Sequence, residues 1–515
     1  MTRLAGVLFF LCALAAPALA AAPAAEEPGF LEKLSPILVL LVVVTFVVAR
    51  LPRVEGVVHT DAYRRRRLMN WLPLGLTYMF LYMGRYNLTV AKSVFENMKD
   101  AAGGPLMSNA VFGQIFAIGT VVYGVSFVIN GPLTDRYGGK KAIIAGAGGA
   151  FVANALMGLC TWMLLGGGEG AKFVGAHFFW IFALLYAANM YFQSFGAVAI
   201  VKCNAPWFHV RERGVFGAIF GILISLGIYF AFDVGAMIVA ALPLHWVFIV
   251  PAIALALFLV VDVFMVANTP ADAGLADIDT ADASTDGPRL GAVVVFKMMM
   301  RNPIIVTIAL VEFCSGFLRQ AIMQWYRIFA KQTDATLHLK SDWVYDNWGM
   351  LLCCAGIMGG VFAGTISDHL FQSRRGPVAA VLYGAMLGGG IALTFAYTTP
   401  VVGWLVVFMS MCVIGVHGML SGTASMDFGG KQNVGVAVGI IDGFVYLGTG
   451  FMSILYSVIL PKQELDAAGK ITGAATNPDN WIWWPVSMVP LALIGLVLAA
   501  RLWHAKPKSG AAAAH

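Results

Sequence analysis

Apolar runs of about 20 residues follow one another along almost the whole chain, parted by short polar turns. A run of that length carries an α-helix across roughly 30 Å of hydrocarbon. From residue 71 onward the pattern predicts spans at 71–92, 109–130, 141–165, 172–200, 214–240, 246–267, 304–330, 347–369, 377–398, 401–425, 434–460 and 482–503. Between the sixth and seventh spans lies the longest polar stretch, Asn268 to Pro303. Its Ala-, Asp- and Thr-rich first part suits a flexible connector, and Ala292 to Arg301 suits a short helix on the membrane surface. The expected protein is all-α and membrane-embedded. A bundle of six helices (71–267), a cytoplasmic linker (268–303), a second bundle of six (304–503) and a cytoplasmic tail (504–515) follow one another.

The first 70 residues carry two further apolar runs. Arg3, the run Leu4 to Ala15 and the small residues around Pro17 to Ala20 form a basic start, an apolar centre and a cleavage-like end. Residues 1–21 are therefore read as a signal peptide, with an uncleaved helix as the alternative. Residues 34–50 predict an extra transmembrane helix, which ends at Arg50 and Arg53 ahead of Arg64–Arg67. Basic clusters recur after the second, fourth, eighth, tenth and twelfth spans. Placing them in the cytoplasm puts the mature N-terminus outside and the C-terminus inside.

Composition narrows the class. The 515 residues are 59% hydrophobic and only 12% charged, with a mean hydropathy of +0.80; soluble domains carry about 25% charged residues. The net charge of +6 is dispersed among loops, which signals topology and no nucleic-acid face. The seven cysteines are scattered without CxxC spacing, so no metal site or disulfide framework is expected. No Walker loop, zinc-ligand spacing or nucleophile elbow occurs, which argues against an enzyme, an ATP-driven pump or a cofactor.

Two landmarks repeat at nearly one offset. Gly131-Pro-Leu-Thr-Asp135-Arg136-Tyr-Gly-Gly-Lys-Lys follows the second span, and Gly364-Thr-Ile-Ser-Asp368-His follows the eighth, with the aspartates 233 positions apart. Arg85 in the first span and Arg319 in the seventh are 234 apart. Duplicated six-helix halves account for both. An arginine at mid-membrane costs about 2.5–3.5 kcal/mol on insertion scales, and neither residue is close enough to a helix end to snorkel. Two planar forks facing one cavity call for an anion, and a phosphate dianion matches them best.

The Gly-x-x-x-Asp-Arg loop resembles the signature of the major facilitator superfamily, whose Asp and basic residues latch the cytoplasmic rim. Gly131, Asp135, Arg136 and Asp368 are the candidate latch. More narrowly, Tyr78-Met-Phe-Leu-Tyr82-Met-Gly-Arg85-Tyr-Asn87 resembles the first helix of the organophosphate:phosphate antiporters. Phe317-Leu-Arg319, Tyr123-Gly124-x-Ser126, Asn268-Thr-Pro270-x-x-x-Gly274, Lys202 with Trp207, and Gly443-Phe-Val-Tyr446-Leu-Gly448 are similar to later elements. The resemblance covers about 71–503. It implies alternating access and makes Arg85, Arg319, Tyr78, Tyr82, Tyr123, Lys202 and Tyr446 candidate substrate ligands. The tyrosines have interfacial positions as their alternative, and Lys202 a snorkelling one. Phe127 and Ile224 stand where members of the family carry a lysine and a histidine, so less positive charge is expected in this cavity.

His417 and Asp442 near mid-depth are candidate coupling residues, either as a proton relay or as a packed pair. Glu312, two helical turns before Arg319, is a third, and a candidate structural partner of that arginine. The expected function is secondary active transport of a small organic anion, as organophosphate/phosphate exchange. The alternatives are a proton- or sodium-coupled symporter and a transporter-like sensor of a phosphate ester. A monomer in the inner (cytoplasmic) membrane, with the lipid bilayer and the anion as its partners, completes the expectation.

Overall fold

The computed structural model describes residues 59–209, 212–280, 292–371, 375–421 and 425–504, with two isolated positions, 38 and 45. The predicted signal peptide, extra helix and tail lie outside the described residues, apart from positions 38, 45 and 504. The long helices are α1 (Asp61–Phe95), α2 (Asn109–Tyr137), α3 (Gly139–Gly166), α4 (Phe178–Asn204), α5 (Arg213–Tyr229) and α6 (Trp246–Met265). After the linker come α7 (Pro303–Gln332), α8 (Trp348–Leu370), α9 (Arg375–Ala396), α10 (Val402–Met419), α11 (Ser425–Ile459) and α12 (Trp483–Arg501). Among the described residues, ten helices are long and apolar enough to cross a membrane. α1 falls outside that set because its middle carries polar side chains such as Thr77, Arg85 and Asn87; in α8 the described side chains form one apolar stretch, Trp348–Ala363.

Several boundaries follow from capping. The Thr60 hydroxyl accepts from the Tyr63 amide at 3.2 Å, so α1 begins at Asp61 and takes Arg64–Arg67 into its first turns, ten residues before the apolar run. The Ser108 hydroxyl caps α2, and the Asn302 amide oxygen caps α7 ahead of Pro303, a pairing of cap and proline that fixes a helix start. The arginine cluster is tied down: Arg67 Nη1 donates to Glu212 Oε2 at 2.9 Å, and Arg66 Nη2 donates to the Met265 carbonyl at 2.9 Å. Burial opposes ionisation of Glu212, but Arg67 and His59 outweigh it and hold the carboxyl below its ordinary pKa. Periodicity did not foresee the π turn at Phe230–Val234, which carries α5 on into Gly235–Ala241, nor the small hairpin Glu464–Leu465/Ile471–Thr472 before α12. The short helix in the linker spans Ala292–Met300 and packs on α11.

Within the first six helices α3 packs on α4 and α6, α2 on α4, and α1 on α6. Within the last six α9 packs on α10 and α12, α8 on α10, and α7 on α11 and α12. The two groups meet chiefly along α2/α11 and α5/α8. Glycines bring α11 unusually close to both neighbours. A Cβ added at Gly124 of α2 would stand 2.8 Å from the Gly443 carbonyl oxygen, and one at Gly448 would strike the Phe313 carbonyl of α7.

Polar contacts between the groups gather at the end where α1 finishes. Glu96 is buried and takes four donors: Lys92 Nζ at 2.6 Å and Lys331 Nζ at 2.6 Å, with Gln332 and Gln463 each at 2.9 Å. Lys331 and Gln332 come from α7 and Gln463 from the α11–α12 connection, so one carboxylate ties three segments together. Asp233, presented by the π turn, accepts from the Gly349 and Met350 amides at 2.8 and 2.7 Å and so caps α8 across the interface. The Phe95 end is therefore closed. Glu96→Gln would leave the buried Lys92 and the half-buried Lys331 around a neutral group, and breaking a buried pair this way costs about 3–5 kcal/mol. The purified variant should melt well below the wild-type protein in thermal unfolding followed by tryptophan fluorescence; an unchanged midpoint would show that Glu96 does not hold this end closed.

Candidate functional site

The site grows from α1. Arg85 is completely buried ten residues before the end of that helix, where a guanidinium survives only with its donors satisfied. Its Nε donates to Gln193 Oε1 at 2.9 Å, Nη1 to the Tyr446 hydroxyl at 2.6 Å and Nη2 to the Tyr123 hydroxyl at 2.6 Å. The rings of Tyr82 and Tyr123 also face the guanidinium, with centroids at 4.3 and 4.5 Å.

Gln193 is itself held: its amide donates to Asn189 Oδ1 at 3.0 Å, and Asn154 donates to the same oxygen at 3.0 Å. Asn87 donates to Asn154 Oδ1 at 2.6 Å, and Asn189 to the Gly84 carbonyl at 2.9 Å. This amide chain through α1, α3 and α4 fixes the direction in which Arg85 points. Its members are polar residues inside apolar spans, the signal by which the sequence could have given them.

Arg319 of α7 is 6% exposed, and its guanidinium lies 5.9 Å from the centroid of the Tyr446 ring. In contrast to Arg85, its Nε and Nη2 have no hydrogen-bond partner. Tyr446 thus stands between the two arginines, and the glycine-mediated approach of α11 to α2 and α7 is what brings it there. Among the described residues neither guanidinium has a carboxylate within ion-pair distance. Two permanent cations surrounded by neutral hydroxyls, amides and rings could receive an anion, and the Arg319 edge is the one with donors free. Phe127 packs on Tyr123 and Tyr446 at 4.7 and 5.9 Å, an apolar wall. Beyond the arginines, Gln320 donates to the Tyr86 hydroxyl at 2.9 Å and to its oxygen donates Gln324, while Thr89 donates to Gln324 at 2.5 Å. This polar seam between α1 and α7 leads toward the closed end.

The remaining sequence candidates divide. Tyr78 is one turn from Tyr82 and meets it edge-on at 5.2 Å, behind the ring that faces Arg85. Lys202 is not at the arginines: Nζ donates to Asp135 Oδ1 at 2.7 Å, because the Asn204 end of α4 lies beside the last turn of α2. Both groups are partly exposed, so the pair contributes about 1 kcal/mol at most. Gly131 is buried in α2, and the Arg136 guanidinium lies 5.4 Å from the Tyr137 ring. In this loop the glycine with a structural demand is Gly138, at φ +88, where Asn268 packs against it and caps α3 by accepting from the Lys140 amide at 2.9 Å. The side chain of Asp368 lies outside the described residues. Glu312 is not hydrogen-bonded to Arg319; its Oε2 is 2.9 Å from His417 Nδ1. His417 accordingly does not pair with Asp442, whose Oδ1 accepts from the Ser421 hydroxyl.

A bundle of long apolar helices closed at one end around two buried arginines has the form of a membrane carrier. The profile of the Major Facilitator Superfamily matches residues 74–453, and the chain belongs to that family. It is 25% identical over 470 residues to the glycerol-3-phosphate transporter of Bacillus subtilis, covering 86% of this chain and 94% of that one. It is likewise 25% identical over 404 residues to the membrane sensor protein UhpC of Salmonella typhimurium, covering 75% and 83%. In fold it is similar to a bacterial homolog of the human lysosomal transporter Spinster, with a TM-score of 0.58 at 14% identity over 86% of this chain and 97% of that one.

The geometry predicts that charge alone does not suffice at Arg85 or Arg319. Arg85→Lys and Arg319→Lys should each lower phosphate-ester uptake by about 100-fold, since an ammonium cannot span the partners of a planar fork. Uptake into proteoliposomes, with monodispersity in detergent as the folding control, decides it; near-normal uptake by either variant would place that residue outside the site.

Proposed function

We propose that the protein exchanges a phosphate ester for inorganic phosphate by alternating access. The observation that carries this reading is the pair of buried guanidiniums without a carboxylate, bridged by Tyr446. The likeness to a glycerol-3-phosphate transporter supports the substrate class. An empty site leaves two like charges at mid-membrane, each several kcal/mol unfavourable, and occlusion would strip them of water. A bound dianion offsets both and draws α1 and α7 together, so the loaded carrier interconverts faster than the empty one, and only such differential binding can shift the equilibrium. Rocking of helices 71–267 against 304–503 performs the exchange.

The same reading takes α1 to α12 as twelve spans of a monomer in the inner membrane, preceded by a thirteenth helix at 34–50. The N-terminus and the Phe95 end are then periplasmic, and the C-terminus and the 268–303 linker cytoplasmic, in keeping with the one-sided basic loops. Alkaline phosphatase fused after His515 should be inactive in cells; an active fusion would overturn this orientation.

Vesicles preloaded with phosphate should take up labelled glycerol 3-phosphate rapidly and empty vesicles should not. Fast uptake into empty vesicles driven by a proton or sodium gradient would replace exchange with symport. The similarity to a membrane sensor protein favours one second reading, that of a phosphate-ester receptor. High-affinity binding by the purified protein without uptake under any gradient is its signature.

A further inference from the structure

Glu312, His417 and Asp442 form a second buried constellation on the Pro303 side of Arg319. Glu312 of α7 is 0% exposed; its Oε2 is 2.9 Å from His417 Nδ1 of α10, and its Oε1 has no partner. Asp442 of α11 is held by Ser421. The His417 side chain is 20% exposed, so the pair is not sealed inside the protein. Few other charges face the cluster among the described side chains. α7 adds Arg319 and Cys314, α11 adds Tyr446, and α9 adds Tyr383, whose hydroxyl donates to the Val311 carbonyl at 2.6 Å, and Arg375 at its start. α8 offers only Cys353 and Cys354 over Trp348–Ala363, α2 nothing charged over 109–134, and α12 nothing charged over 483–500.

Glu312 Oε1 is buried and unpartnered beside a part-exposed imidazole, so the pair has a place for one proton. An arriving dianion that engages the free Nε and Nη2 of Arg319 adds negative charge beside the pair and so raises its demand for that proton. By reciprocity, that proton strengthens anion binding by the same factor.

We propose that Glu312, His417 and Asp442 constitute a proton-binding site loaded together with the anion, so that the protein carries a proton with each phosphate ester or phosphate it moves. The proposal rests on the anion-site reading of Arg85 and Arg319. The proton comes from water or buffer acid and adds to the imidazole or to the Glu312 carboxylate; no bond of the ligand changes. Exchange of one loaded anion for another, each with its proton, moves no net proton, so a pH difference alone does not drive accumulation by exchange.

The test is calorimetric titration of glycerol 3-phosphate into the purified full-length protein at pH 7, in buffers of different ionisation enthalpy, which reads the protons taken up on binding. The ligand's own ionisation is common to wild type, Glu312→Gln and His417→Gln, so the difference between them belongs to the cluster. The wild type should take up at least about half a proton more than either variant, and its affinity should weaken about tenfold from pH 6 to pH 8 where His417→Gln changes little beyond the ligand's own titration. Thermal unfolding of each variant checks its fold; if a variant unfolds, the wild-type proton count stands as the test, with net uptake supporting the proposal and net release overturning it. Binding with equal proton counts in all three proteins would also overturn it and leave the anion site intact. No binding by the wild-type protein would instead sink the anion-site reading, and this proposal with it.

Discussion

Burying a guanidinium without a carboxylate partner is among the most costly things an apolar protein interior can do, and this fold does it twice, at Arg85 and Arg319. Much of the middle of the molecule follows from that constraint. Tyr82, Tyr123 and Tyr446 surround Arg85 with hydroxyls and ring faces, and an amide chain through Gln193, Asn189 and Asn154 directs it. α11 must come within glycine distance of both α2 and α7 to put Tyr446 between the two cations. The arrangement is neutral in the ligands of Arg85 and carries two permanent cations, a composition that suits an anion.

The two arginines are not equivalent. Arg85 spends each nitrogen on a neutral partner, whereas Arg319 keeps two buried N–H groups unpartnered. A ligand that first engages Arg319 meets Tyr446, and through it Arg85. Movement of the last six helices relative to the first six would pass through that hydroxyl, because Tyr446 belongs to α11 and its acceptor role serves α1. Toward the Phe95 end the same interface continues as Tyr86–Gln320–Gln324–Thr89 and then the Glu96 cluster, so site and closure share α1 and α7.

The span pattern, the two arginines and the tyrosine motifs were legible because apolar runs and isolated charges inside them leave a strong one-dimensional trace. The Gln193–Asn189–Asn154 chain was not, since amides are common in membrane helices and only the fold brings these three to one place. Lys202 stayed open between cavity and rim for the complementary reason: its position along α4 is compatible with both, and the last turn of α2 decides by supplying Asp135. Helical spacing put Glu312 and Arg319 on one face of α7, yet His417 arrives from α10 and claims the carboxylate. Contacts between helices distant in sequence decide such pairings, and a single helix carries no record of them.

The central claim is that one anion is held by both arginines at once. A double-mutant cycle on phosphate binding tests it most directly, with Arg85→Ala, Arg319→Ala and the double variant titrated in detergent. If the two forks hold the same ligand, each single change removes most of the affinity and the double change adds little more, a coupling of about 1–3 kcal/mol between residues on different helices. Strictly additive losses, or a single variant that binds phosphate as the wild type does, would show that the arginines do not share a ligand.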